Sequence, residues 1–275
     1  MESKIKLLND LLRKLGEHFR IEVKIVHKNN ETLFGLCLTG GDVAPTVYVD
    51  KEKFMSESNN KIINELRDIY NGTHITFDNA MTSRNFILNN VYPRLVGQAN
   101  ETWVKEDTYI YKKFLDMCVL YYVKLPSDNK DVLSYTLHDE HLKRADISMD
   151  EIESYALGNL RDKVVVRSMG DILRGELGFE EGLDFGMHIV TNTWKVNGAA
   201  VILLDELLDD LSEMFGDDFV VLPSSIHECI VVPIGVMQDI DILKQMVCDV
   251  NESSVEPQDR LTNSVYIYDG TLRIC

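Results

Sequence analysis

Ser224, Ser225, His227 and Glu228 stand within five consecutive residues, in the stretch LPSSIHECIVVP. A hydroxyl, an imidazole and a carboxylate are the side chains of acyl transfer and of general acid–base catalysis. Their spacing constrains what they can do together. If HECIVVP is a strand, side chains alternate between faces, so Ser225 and His227 project to one side and Glu228 to the other. In a relay the acid must reach the far nitrogen of the same imidazole, which adjacent strand residues cannot do. The turn also reads PSSIH, without the flanking glycines of a nucleophile elbow. Two readings follow. In one, Pro223 fixes the chain and the serine hydroxyls bond nearby backbone amides in a structural turn. In the other, His227 is a general base and Ser225 or Glu228 orients a substrate.

His138 and His141, in LHDEHLKRAD, are three residues apart with Asp139 and Glu140 between them. On a helix that spacing puts both imidazoles on one face, where they could hold a metal. Zinc peptidase motifs use a spacing of four, and a third ligand such as His188 or His227 would be needed. An exposed turn is the plainer reading, and no metal or other cofactor is assigned. Asn192, Trp194 and Asn197, in TNTWKVNGA, belong to a loop whose residue types suit partner contact, unless the tryptophan folds back over the core. Asn159 and Arg161, near the end of a helix, read as a buried polar contact to the following segment.

These groups need elements to position them. Ile5, Leu8, Leu11, Leu12, Leu15 and Phe19 recur at helical spacing over 3–19. IEVKIVHKNNETLFGLCLTG alternates like a hairpin, PTVYVD is a third strand, and a helix is predicted over 57–70. TSRNFILNNVYPRLVGQ carries a helical stripe interrupted by Pro93. FLDMCVLYYVKLP is a buried strand ended by PSDN, and VLSYTL follows it. Ser148 and Glu151 form a capping box that opens a helix. MHIVTN and AAVILL read as strands. Asp205 can cap a helix closed by Gly216, FVVLP and HECIVVP pair, and DIDILKQMVCDV is a helix. SVYIYDGTLRIC is a hairpin turning at Asp269-Gly270.

A strand–turn–strand–helix pattern begins near Leu115, Met187 and Phe219. It predicts an α+β fold, mainly antiparallel sheet with helices packed on one face. Single strands alternating with helices, and a G-x-G-x-x-G motif, would be needed for a dinucleotide-binding sheet. Residues 1–110 are expected to form an N-terminal region and 111–275 a C-terminal domain.

The 275 residues are 45% hydrophobic, enough for a sizeable core, and no apolar stretch approaches the ~20 residues of a membrane span. The N-terminus, MESKIKLLNDLLRKLGEHF, lacks the apolar segment of a secretory signal. Cys37, Cys118, Cys229, Cys248 and Cys275 are scattered without a C-x-x-C pair, as expected of reduced thiols in a cytoplasm. A net charge of −17 argues against direct contact with a nucleic-acid backbone or an anionic membrane. An acidic decoy of a nucleic-acid-binding enzyme is a further reading, though the acids are dispersed rather than gathered in runs.

PTVYVD before a helix ending at IYNG, then MHIVTNTWKVNGAAVIL, FVVLPSSIHECIVVP and VNESSVEPQDRLTNSVYIYDG, occur in an order that resembles an uncharacterised family of clostridial and gut-commensal proteins, a domain of unknown function. The resemblance covers nearly the whole chain. From LSYTLHDEHLKRADISMDEIESYALGNL onward the chain is also similar to a broader uncharacterised Bacillus-type family. The resemblance implies a bacterial cytoplasmic α+β protein and no particular activity. The expectation is a non-enzymatic module that binds another protein or a peptide through Ser224, Ser225, His227, Glu228, Asn192, Trp194 and Asn197. A hydrolase or transferase using His227 is the alternative.

Overall fold

The alternation between Ile21 and Ile25 does fold as an antiparallel hairpin. In the computed structural model, which describes residues 1–40, 44–72, 79–126, 133–177, 186–236 and 239–275, the chain divides into two units, Met1–Asn79 and Ala80–Cys275. In the first, helix α1 (Glu2–Lys14) buries Ile5, Leu8 and Leu12. It stops short of the expected Phe19 because Gly16 turns left-handed, at φ 76°, a conformation open to a residue without Cβ. Strands β1 (Arg20–Lys28) and β2 (Glu31–Thr39) pair along their length around Asn29 and a left-handed Asn30. Strand β3 (Thr46–Val49) adds to β2. Asp50 accepts a 2.8 Å hydrogen bond from the Lys53 amide and opens a short helix, α2 (Lys51–Ser56), ahead of α3 (Asn59–Gly72). Leu8, Leu12, Ile21, Leu36, Leu38, Ile63 and Leu66 share one core.

The second unit opens with α4 (Arg84–Asn90) and β4 (Val91–Gly97). The stripe around Pro93 is therefore helix and then strand, not an interrupted helix. Proline is tolerated there because β4 is an edge strand, where a missing N–H breaks no ladder. Helix α5 (Glu101–Glu106) leads to β5 (Tyr111–Phe114), and a left-handed Leu115, φ 52°, turns the chain into β6 (Met117–Lys124). FLDMCVLYYVKLP is thus a hairpin rather than one strand. Strand β4 pairs with β6 throughout, and β5 and β7 (Ser134–Thr136) pair successively on its other side. The PSDN turn lies, from Ser127 on, outside the described residues. Residues 80–110, expected with the N-terminal region, thus supply an edge of this unit's sheet.

Helices α6 (Asp139–Ala145) and α7 (Met149–Arg161) follow, α7 opened by the predicted box of Ser148 and Glu151. Strand β8 (Val164–Ser168), not anticipated from VVVRS, precedes α8 (Met169–Leu177) and β9 (His188–Asn192). The segment expected as a strand at AAVILL is a 3-10 turn, Gly198–Leu203, buried from Gly198 to Ile202. The unit near Met187 therefore contains one strand, not two. Next come α9 (Asp205–Phe215), capped at Leu204 with Asp205 already inside its first turn rather than capping it, and with Gly216 left-handed at its end, β10 (Phe219–Leu222), β11 (Cys229–Pro233), α10 (Ile240–Ser253), β12 (Tyr266–Tyr268) and β13 (Leu272–Ile274). They form an antiparallel sheet in the order β13-β12-β10-β11-β9-β8.

The fold is α+β with antiparallel sheets, as the pattern predicts. This last sheet is covered on both faces rather than one. Val220, Leu222 and Val232 meet Leu243 and Val247 of α10, while Phe219, Val221 and Val231 share a core with Val201 of the 3-10 turn and Leu207, Leu208 and Leu211 of α9. The same core takes in Leu95, Val119 and Tyr121 of the β4–β6 sheet and Ile152 and Ala156 of α7. Among the described residues, no helix is long and apolar enough to cross a membrane.

Candidate functional site

Strand β11 begins at Cys229, so residues 224–228 are a turn and not the start of a strand. Backbone bonds hold it: Ser224 accepts at 2.9 Å from the Leu261 amide, the Ile226 amide donates to the Asp259 carbonyl at 2.8 Å, and Ile226 accepts from Ala199 at 3.2 Å. The Ser225 hydroxyl accepts from the His227 amide at 3.0 Å, so it serves the backbone and not the imidazole. Thr191 Oγ1 donates to the His227 carbonyl at 2.7 Å.

The imidazole is held by a hydrogen bond at one end and lies near a carboxylate at the other. Nδ1 of His227 accepts from the Asn197 amide at 3.3 Å, and Nε2 lies 3.3 Å from Asp259 Oδ1. A nitrogen that accepts carries no proton, so the proton sits on Nε2 and faces the carboxylate. A neutral ring has one in-plane lone pair, and Asn197 occupies it. In this arrangement His227 has none left to take a proton from a substrate. Glu228 is half-buried beside Cys229, whose thiol is pushed up by burial first and by the Glu228 charge second.

The turn supports the 192–197 loop, and the contact leaves no room. A Cβ on Gly198 would lie 2.1 Å from Thr191 Oγ1 and 2.4 Å from the His227 carbonyl oxygen. Asn192 is 1% exposed and closes the loop on itself. Its amide donates to Val196 at 2.8 Å and its oxygen accepts from Trp194 at 3.0 Å and Val196 at 3.4 Å. Lys195 and Asn197 take left-handed φ values of 56° and 54°. Trp194 folds back on the core, as the plainer reading of the loop has it: it packs edge-on against Tyr92, with centroids 4.8 Å apart, and Lys124 Nζ lies 4.7 Å from the centre of its ring. The Asn197 side chain bonds the Tyr122 hydroxyl, while burial, the larger effect, pushes that phenol up to about 12.

Loop 192–197 therefore sits on one face of the β4–β6 sheet. Tyr92 pairs with Tyr122, Arg94 with Leu120 and Val96 with Cys118. Directly paired and alternate residues share a face, so Arg94 stands in an aromatic and aliphatic row. Its Nε is enclosed and has no hydrogen-bond partner among the described residues. Burial, the leading effect, lowers its pKa, and the ionisable groups that bear on it are the phenols of Tyr109 and Tyr122. The residue as a whole stays partly exposed, which leaves the terminal nitrogens as the accessible end of the fork. Sequence reasoning missed Arg94 because its segment read as helix. Read at period two, VYPRLVG sets Arg94 between Tyr92 and Val96, a cation in line with apolar neighbours.

The histidine pair lies elsewhere in the unit and holds a helix end. His138 Nδ1 donates to the Asp107 carbonyl at 2.8 Å, and His141 Nδ1 accepts from the His138 amide at 3.0 Å. LHDEHLKRAD is thus the capped start of α6 and not an exposed turn. Burial, and then the charge of His138, lowers the pKa of His141. His188 instead packs on Phe215, with ring centres 5.3 Å apart. Among the described residues no three His, Cys, Asp or Glu side chains converge on a metal position. Asn159 donates to the Leu88 and Val91 carbonyls at 2.9 and 3.0 Å, earlier in the chain rather than later, and Arg161 forms an exposed ion pair with Glu206.

A family of unknown function, DUF5688, matches residues 2–270. No curated protein and no solved structure matches the chain.

Proposed function

The chain belongs to that family, DUF5688, whose function is unknown, and we propose from the geometry of its own residues that it is a binding module for another protein or a peptide. The observation that supports this is how the polar turn is used. His227 holds the backbone of a loop whose Trp194 and Asn197 line the β4–β6 face, instead of offering a free base to a substrate. Of the residues expected at the site, Trp194 and Asn197 would meet the partner, while Ser224, Ser225, His227, Glu228 and Asn192 would shape the surface from beneath. A tryptophan held in place with its ring partly exposed resembles the aromatic anchors of protein interfaces. In this reading the protein works in a bacterial cytoplasm, consistent with cysteines that are all unpaired.

Panning a peptide display library on the whole protein tests the proposal. Enriched peptides should bind the parent and lose most of their affinity for Trp194→Ala. Peptides that bind both equally, or no enrichment, would count against it.

A further inference from the structure

We propose that Arg94 anchors a carboxylate of the ligand on the β4–β6 face, beside Tyr92, Tyr122 and the Trp194 loop. The inference rests on the binding reading and names the chemistry of what is bound.

Its basis is a contrast within the chain. There are 45 acidic and 28 basic residues, so carboxylates are in excess. Arg67, Arg84, Arg161 and Arg273 each hold one, paired with Glu17, Glu151, Glu206 and Asp269. Arg94 is set deeper and has no such partner among the described residues; its Nε is enclosed and unbonded. A guanidinium does not shed its proton at any ordinary pH, so it cannot escape burial by becoming neutral. A buried charge needs a counter-charge, and its accessible end opens where that charge must come from. The fork of two N–H groups matches the two oxygens of one planar carboxylate.

The surroundings favour an organic acid. Tyr92, two residues before Arg94 on the same face, meets Trp194 edge-on at 4.8 Å, so that face carries ring surface as well as the phenols that bear on the cation. Lys124 lies on the same face, two residues beyond Tyr122, and adds a second positive charge against Trp194. An acidic side chain, a peptide C-terminus and a free aromatic acid all offer this chemistry, and the test separates them.

Sodium benzoate, benzamide and inorganic phosphate are titrated into the whole protein and into Arg94→Met, with heat of binding and melting temperature as readouts. Benzoate should bind the parent saturably and raise its melting temperature, while benzamide, its neutral counterpart, should not. Arg94→Met should weaken benzoate about tenfold or more, the loss expected for a charge-assisted pair. Without ligand it should melt no lower than the parent, because an unpaired buried charge has been removed. Equal binding of benzoate and benzamide, preference for phosphate, or an unchanged benzoate response in Arg94→Met would each overturn the inference. So would a benzoate-insensitive parent whose Arg94→Met variant melts far lower, the mark of a purely structural cation.

Peptides from the display experiment, prepared with free and amidated C-termini and with acids replaced by amides, identify the source. Peptides that lose affinity for Trp194→Ala but not for Arg94→Met would sink the carboxylate anchor and leave the binding reading standing. Saturable, Arg94-dependent benzoate binding without any peptide enrichment would do the reverse.

Discussion

Tyr266 donates its hydroxyl to the carboxylate of Asp116, joining β12 to the β5–β6 turn across 150 positions of sequence. Thr262 and Ser264 donate to the same carboxylate, each at 2.7 Å. Burial by itself would raise the pKa of Asp116, but the three hydroxyl bonds outweigh it and the net shift is downward. A carboxyl with a depressed folded pKa stabilises the fold above its unfolded value, near 4, and loses that contribution as pH falls through the folded value. Asp116→Ala should cost about 3 kcal/mol at neutral pH in chemical denaturation. The parent should lose stability below pH ~4 more steeply than Asp116→Asn does.

Gly198→Ala tests the contact between loop and turn. The added methyl would have to displace the Thr191 hydroxyl and the His227 carbonyl, both within 2.4 Å of it, and the latter is backbone. A loss of about 2–3 kcal/mol is expected. A change within about 0.5 kcal/mol would show that the two segments are not in contact.

His227→Ala should cost about 1–2 kcal/mol by leaving the Asn197 amide unpaired. Combined with Asp259→Asn, the double-mutant cycle should show a coupling of about 0.5–1 kcal/mol, modest because both side chains are about a third exposed. Trp194 fluorescence should shift to the red as the loop loosens. A stable His227→Ala protein with unchanged fluorescence would return the imidazole to candidacy as a catalytic base.

The α7 cap gives a local test. Ser148 Oγ accepts from the Glu151 amide at 3.3 Å, and Glu151 accepts from the Ser148 amide at 3.0 Å. Ser148→Ala should lower stability by about 1 kcal/mol, read from the urea midpoint at unchanged slope.

Elements whose sequence obeys one period were legible. The β1–β2 hairpin, the capped α7, α9 with Gly216 and the terminal hairpin all follow from alternation, capping or turn chemistry. Errors fell where local signals compete. AAVILL looks like a strand because uninterrupted apolar residues suit any fully buried element, and here burial against β9 and α9 selects a 3-10 turn. Pro93 looked like a helix breaker because its edge position is a tertiary fact. At the site, the sequence marks Ser225, His227, Trp194 and Asn197 as unusual but not their division of labour. That depends on Asp259 and Asn197, which lie 32 and 30 positions away in the chain. Arg94 escaped because its segment read as helix; at period two it stands between Tyr92 and Val96, but that no acid among the described residues faces it is a fact of the fold alone.

Pro93 also bears on how molecules of this protein meet one another. A sheet border invites a visiting strand wherever amides and carbonyls alternate along it, and this is how swapped dimers and fibrils begin. In β4 the imino acid interrupts that invitation midway, opposite Tyr121, by withholding one donor from any newcomer. The border is also shielded: six of the seven residues of β4 are buried, and Asn159 of α7 already holds the Val91 carbonyl.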